Sequence, residues 1–262
     1  MNRIVVITGA SSGIGLELKK LYLEASDTVV TISRSEDKGN DNHYACDVSN
    51  EEGIANVFKD IGKKYKKIDI LINNAGFGMS GITELVEMDK VKNLFDVNFY
   101  GLLYCTRGAL PYMTAGAKIV NMSSAMALFP VPFRAYYGSV KAAVLALTYS
   151  WRMELKSVLG IDMFAICPGN IKTNFTANRV KDFKTDDRYK DVIEKTTAAA
   201  DKNEDKRIPV EKAARECFKV IEKKKHRPMY IIGGKFKLLY FVSNRLPKSC
   251  LVDTTANLMI KK

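Results

Sequence analysis

The chain has 262 residues, 47% of them hydrophobic, enough for one well-packed core and too little for two full domains. Its five cysteines, Cys46, Cys105, Cys167, Cys217 and Cys250, are odd in number and scattered, and its two histidines, His43 and His226, lie far apart, so a disulfide framework, a metal site and a histidine-based triad all lack material. The net charge of +12 is lopsided: residues 223–262 hold ten Lys or Arg against one acid, Asp253, so that tail carries +9, the rest is nearly balanced, and no nucleic-acid partner is expected.

The first predicted strand, at 4–7, runs straight into a glycine-rich turn and leaves no room for a secretory leader. No apolar run approaches the roughly 20 residues that span a bilayer. The expectation is a cytoplasmic protein, with peripheral membrane contact left open for the tail. In the turn, Gly9, Ser11, Ser12, Gly13, Ile14 and Gly15 bring the chain sharply into a helix. That geometry suits a dinucleotide pyrophosphate, because glycine lets backbone approach the phosphates and the helix N-terminus offers unpaired N–H groups. A ligand-free glycine turn is the competing reading.

The second strand, at 28–32, ends on Ser33-Arg34 without the acid that usually binds the adenosine ribose hydroxyls. Arg34 can pair with a 2′-phosphate, which favours NADP over NAD, or it can be a solvated loop residue. After a short third strand, Asp47-Val48 stands where an acid can accept from the adenine amino group, or is an ordinary pre-helix turn. Ser49 followed by Glu52 predicts a capping box for the next helix. Further Val- and Ile-rich runs at 68–72, 118–122, 161–167 and 229–232 read as buried parallel strands, and the segments between them have helical spacing. The alternation predicts an α/β fold: a single doubly wound parallel sheet of Rossmann type with helices on both faces.

Ser124 closes the strand at 118–122, and thirteen residues later comes Tyr137-Gly138-Ser139-Val140-Lys141. On a helix, Tyr137 and Lys141 share one face at i and i+4. A phenol titrates near 10, and a nearby ammonium favours the phenolate, so Lys141 can tune Tyr137 as an acid/base while the Ser124 hydroxyl steadies a carbonyl oxygen. Singly, each could be structural: a packing residue, a surface charge, a turn former.

With these motifs in order, the chain resembles the classical short-chain dehydrogenase/reductase family from about residue 3 to residue 234. The likeness also takes in Asn73-Asn74-Ala75-Gly76, Asn98, and Pro168-Gly169 followed by Ile171 and Thr173. It implies that Asn98 holds a water extending the proton relay, that Asn74, Ala75 and Gly76 lie near the cofactor, that Ile171 and Thr173 contact the nicotinamide carboxamide, and that Lys141 holds the nicotinamide ribose. From the residues alone, Asn98 could equally be a satisfied helix amide and Asn74 a turn residue.

The resemblance implies an NADP-dependent oxidoreductase acting on a ketone or secondary alcohol, without metal, and a homo-oligomer, dimer or tetramer. Met79, Met126, Leu128, Phe129, Val131 and Phe133 beside the active-site segments suggest a steroid-like or lipid-like substrate, though packing explains such residues as well. A non-catalytic nucleotide sensor of the same fold is the alternative; it does not require the Ser-Tyr-Lys set. The polar stretch 175–209 is expected to be a lid within a domain spanning 1–234. Residues 235–262, where Phe236, Leu238, Leu239, Tyr240, Phe241 and Val242 interleave with Lys235, Lys237, Arg245 and Lys248, form a C-terminal extension that packs on protein or rests weakly on an anionic membrane.

Overall fold

The computed structural model describes residues 2–37, 40–173, 175, 179–183, 186–201 and 207–261. Seven parallel strands form the central sheet: β1 (Ile4–Thr8), β2 (Thr28–Ser33), β3 (His43–Ala45), β4 (Ile70–Asn73), β6 (Lys118–Met122), β7 (Asp162–Pro168) and β11 (Met229–Ile232), in the order β11-β7-β6-β4-β1-β2-β3. Two further parallel pairs stand apart from it. β5 (Met79–Gly81) pairs with β9 (Val180–Asp182), and β8 (Ile171–Lys172) with β10 (Ile208–Pro209).

Alternation along β1 shows why its apolar run is unbroken. Ile4 and Val6 point into a core shared with α2 (Glu51–Tyr65), α4 (Gly101–Ala109) and α5 (Ala135–Leu159). Val5 and Ile7 point into the opposite core, closed by α1 (Gly13–Glu24) and α7 (Val210–Ile221). A strand buried on both faces has no polar side, so helices on both sides of a parallel sheet are written into four consecutive residues.

One local expectation is corrected. The N-cap of α2 is Asn50, whose side chain accepts from Gly53 N–H at 2.9 Å, while Ser49 turns back and donates to Asp47 Oδ1 at 2.7 Å. Asn50 wins because the Asp47 carboxylate already holds the Ser49 hydroxyl and N–H.

The strand order reverses between β1 and β4: the chain steps outward one way through β2 and β3, then crosses back to β4, β6, β7 and β11. In sheets of this kind the ligand crevice lies outside the carboxyl ends of the strands at that switch point. The expected lid is tied down at both margins, β9 on β5 and β10 on β8, with α6 (Lys190–Asp201) between them. Its residues 176–178, 184–185 and 202–206 lie outside the described residues. Beyond β11 the chain enters α8 (Gly234–Ser243) and α9 (Lys248–Ala256). Phe236 and Tyr240 of α8 pack against an apolar cluster of Leu145, Ala165, Cys167 and Ile231, so the extension begins by completing the domain.

Candidate active site

The glycine turn is built by exclusion. Gly9 has φ +66°, and a Cβ there would lie 2.8 Å from the Ala75 Cα, so the turn after β1 and the turn after β4 approach as closely as backbones can. A Cβ on Gly15 would collide with Asn74 Nδ2 and the Gly9 carbonyl. Asn74 itself clamps the turn, donating from Nδ2 to the Thr8 and Gly9 carbonyls at 3.1 and 3.0 Å. Thr8 Oγ1 completes the clamp by accepting from the N–H groups of Asn74 and Ala75, both at 3.0 Å. Gly13 (φ +58°) faces Thr173, whose methyl would sit 3.8 Å from an added Cβ.

Ser12, the N-cap of α1, makes no side-chain cap bond and no acid occupies the first turn. The helix thus presents open N–H groups and its positive end to the crevice. Ser11 and Ser12 are exposed beside it, and Ile14 packs partly against the core. These open donors, walled by glycine, fit a pyrophosphate.

At the edge of the crevice, Ser33 Oγ donates to Ser35 O at 3.1 Å and His43 bridges Thr31 Oγ1 and Ser35 O, pinning the loop from which Arg34 projects. Arg34 is exposed and makes no hydrogen bond or ion pair among the described residues. Across from it, Asp47 Oδ1 is engaged by Ser49, and Val48 is buried against Gly101.

The second half of the site gathers at the end of β6. Ser124 caps a short 3-10 turn, its Oγ accepting from Met126 N–H at 3.1 Å. That leaves its proton free, and the hydroxyl lies close enough to the Tyr137 phenol to favour its ionised form. Tyr137 and Lys141, one turn apart on α5, are both buried. Lys141 Nζ donates to Met122 O at 3.0 Å and lies 6.0 Å from the centre of the Tyr137 ring.

Burial pushes the phenol up to about 12, against the opposing pull of the Ser124 hydrogen bond and the Arg179 and Arg134 charges. Burial likewise pushes the Lys141 ammonium down to about 8. At neutral pH the phenol is therefore protonated, the state required to give a proton to a carbonyl oxygen.

Asn98 joins this group through an irregular helix. Residues Asp96–Tyr100 form a π-turn, in which Gly101 N–H bonds back to Asp96 O. Asn98 Nδ2 donates to Leu94 O at 3.0 Å and Phe77 O at 3.2 Å, while its Oδ1 is buried with no protein partner. A Cβ on Gly76 would fall 2.5 Å from that Oδ1 and 3.5 Å from Lys141 Nζ, so both converge beside Gly76. An orphaned acceptor next to a buried ammonium suits a bridging water.

The remaining expected residues line the far side. Pro168 ends β7, Gly169 N–H donates to Ile232 O at 3.1 Å, and the Phe236 ring lies against Gly169. Ile171 turns its side chain into the core, leaving only its backbone for the crevice. Of the apolar residues expected near substrate, Met79 and Met126 share a cluster with Tyr137, Phe77 and Phe175, Phe129 and Leu128 lean toward Phe236, and Phe133 packs edge-on against Phe183 and Tyr189. Sequence reasoning missed Phe175, whose ring is 5.9 Å from that of Tyr137, and the two arginines whose charges act on the phenol. Phe175 and Arg179 reach Tyr137 from distant segments that carry no periodic signal, whereas Arg134, the N-cap of the helix one turn ahead of Tyr137, was legible from its spacing and was overlooked.

A strand-order reversal with a glycine cradle, and a Ser-Tyr-Lys-Asn group at the neighbouring strand ends, define a nucleotide-dependent oxidoreductase architecture. Residues 3–184 match the family model for short chain dehydrogenases. The chain belongs to the short-chain dehydrogenase/reductase family. It is 32% identical to a probable short-chain type dehydrogenase/reductase, VdlC, of Helicobacter pylori over 94% of both chains. It is also 32% identical to a 3beta-hydroxysteroid dehydrogenase of Mediterraneibacter gnavus over 70% of this chain and 71% of that one. A short-chain dehydrogenase from Streptomyces avermitilis has the same fold, with a TM-score of 0.80 at 22% identity, covering 98% of this chain and 97% of the other.

Proposed function

We propose that the protein is an NADP-dependent carbonyl reductase or secondary alcohol dehydrogenase, acting on an apolar ketone of lipid-like or steroid-like character. The observation that carries this reading is the convergence of the Ser124 hydroxyl, the Tyr137 phenol, the Lys141 ammonium and the unpartnered Asn98 Oδ1 beside Gly76. The open N–H groups at Gly13 to Gly15 would hold the pyrophosphate, and Arg34 the 2′-phosphate; Asp47, Lys141 and Thr173 would hold the adenine, ribose and carboxamide. Bound NADP would supply or accept the hydride.

The chain's own residues then manage the proton. Ser124 donates a hydrogen bond to the carbonyl oxygen, and Tyr137 gives that oxygen its proton as charge builds there. A water on Asn98 Oδ1, in contact with Lys141, returns a proton to the phenol. Phe77, Met79, Phe129 and Phe175 keep bulk water from the reacting carbon.

The similarity to a 3beta-hydroxysteroid dehydrogenase supports an apolar alcohol or ketone. For assembly, exposed Tyr100, Tyr149 and Met153 on and beside α4 and α5 support a homo-oligomer, dimer or tetramer. For the tail, exposed Leu238, Leu239, Phe241, Val242 and Leu246 among cations support weak docking on an anionic bilayer. No helix among the described residues is long and apolar enough to cross a membrane.

The test is a panel of ketones and secondary alcohols, steroids included, monitored by nicotinamide absorbance with NADP and NAD, on wild type and Tyr137→Phe. Turnover of at least one member, falling by about 100-fold or more in the variant with cofactor affinity little changed, is expected. Near-normal turnover by Tyr137→Phe overturns the acid/base assignment.

A further inference from the structure

Two guanidiniums lie close enough to the Tyr137 phenol for their charges to act on it, and no hydrogen bond or ion pair holds either side chain among the described residues. Arg134 is the residue just before α5, one turn ahead of Tyr137; its carbonyl accepts from Gly138 N–H at 2.8 Å, which fixes its backbone. Its side chain folds inward, and Nη1 is buried with no hydrogen-bond partner. Arg179 comes from the opposite side, at the start of β9. Its Nε would lie 3.3 Å from a Cβ on Gly78, beside the Phe175 ring that rests on Tyr137. Two segments 45 residues apart thus deliver like charges to one place.

That arrangement is unfavourable by itself. Burial and mutual repulsion push Arg134 down to about 10, and burial pushes Arg179 down as well. Arg207, before α7, adds its field to both. Among the described residues, acids of the adjoining segments have cations of their own: Glu84 and Asp186 bind Arg188, and Asp182 binds Lys90. An uncompensated buried cation costs free energy that a paired one does not. A half-buried guanidinium with an unpaired donor is also a ready bidentate site for carboxylate or phosphate.

We propose that Arg134 and Arg179 recognise an anionic group, carboxylate or phosphate, carried by the carbonyl substrate itself. The surrounding apolar side chains, Phe77, Met79 and Phe175, would take the hydrocarbon part. The substrate class is thereby narrowed to an anionic amphiphile, a lipid-like or steroid-like ketone or secondary alcohol that carries a carboxylate or phosphate. This deepens the proposed function and rests on Tyr137 being its acid/base.

The experiment compares matched ketones: a long-chain oxo acid, its methyl ester, and an oxoalkyl phosphate of equal length. Each is assayed with NADPH on wild type, Arg134→Gln, Arg179→Gln and Arg179→Lys. Wild type should prefer an anion over the ester by about 10- to 100-fold in kcat/KM, the effect of one or two charge-assisted bonds. The preference should fall toward unity in the Gln variants and return in part in the Lys variant. The ratio of acid to phosphate decides between the two anions. Equal use of acid and ester by wild type, or a preference that survives both Gln variants, overturns the proposal.

Absence of turnover with every ketone would instead count against the reaction assigned to Tyr137. The anion site is then read directly, by calorimetric binding of decanoate against decanol. Decanoate binding that exceeds decanol and is lost in the Gln variants sustains the site; equal binding of the two overturns it.

Discussion

At the carboxyl end of β1 the chain meets the crevice with backbone, whereas along α8 and α9 it meets solvent with side chains. The first region is a cradle of N–H groups at Gly13 to Gly15, shaped by what glycine lacks. The second has no fully buried residue in either helix and leaves Leu238 and Phe241 more than half exposed. Binding through backbone depends on a fold being right to a fraction of an ångström. Binding through exposed apolar and cationic side chains depends on their sum, so single changes in the two regions should differ greatly in consequence.

Gly15→Val is the sharpest way to break the cradle, because the new Cβ collides with Asn74 Nδ2 and the Gly9 carbonyl. NADP affinity is expected to fall at least about 100-fold, about 2.7 kcal/mol. Thermal melting with and without NADP checks this: wild type should gain melting temperature with cofactor and the variant should not. An undiminished shift would mean that the turn can open without losing its ligand.

A milder change at the same crevice tests side-chain recognition there. Arg34→Asp replaces attraction for a 2′-phosphate with repulsion, and should move the NADP-to-NAD preference toward NAD by about 10- to 100-fold. Dissociation constants for both cofactors decide it, and a wild type that already favours NAD would remove the basis for the NADP reading.

The smallest effect is expected in the tail. Leu238→Ser with Phe241→Ser alters two exposed positions and should leave the fold intact. Sedimentation with phosphatidylserine-containing vesicles should show weak, salt-sensitive binding by wild type, reduced by about tenfold or less in the double variant. Point changes serve better than removal of everything after Gly234, because Phe236 and Tyr240 help to cover Leu145 and Ile231. Wild type that ignores vesicles returns the exposed face to contact with another protein surface.

The same division separates what was legible in the sequence from what was not. Features set by local backbone demands were legible: the glycine turn, the period-free strands, and the one-turn spacing of Tyr137 and Lys141. Features set by distant partners were not. Asn50 rather than Ser49 caps α2 because Asp47 competes for the serine. The small ladders β5–β9 and β8–β10 join segments too short to show any periodicity. Arg179 stands far from Tyr137 in sequence, and only the fold brings its charge to bear on the phenol. His226 likewise reads as an isolated histidine. In the fold it stacks on Phe164 at 4.0 Å and bonds Asp162, and Arg152 pairs with the same carboxylate.

The π-turn at Asp96–Tyr100 sets Asn98 by winding as much as by chemistry. It holds one residue more than an α-helix of the same rise would need, so it acts as a phase shift between α3 (Met88–Phe95) and α4. Substitutions on either helix leave that phase alone. Removing a single residue from the turn would restore regular winding there and abolish the bulge that carries Asn98. The Asn98 amide would then leave the Leu94 and Phe77 carbonyls, although every atom of its side chain was still present. At this point in the chain, the proposed proton relay is encoded in residue number: it is more vulnerable to an insertion or deletion of one than to most exchanges of side chain.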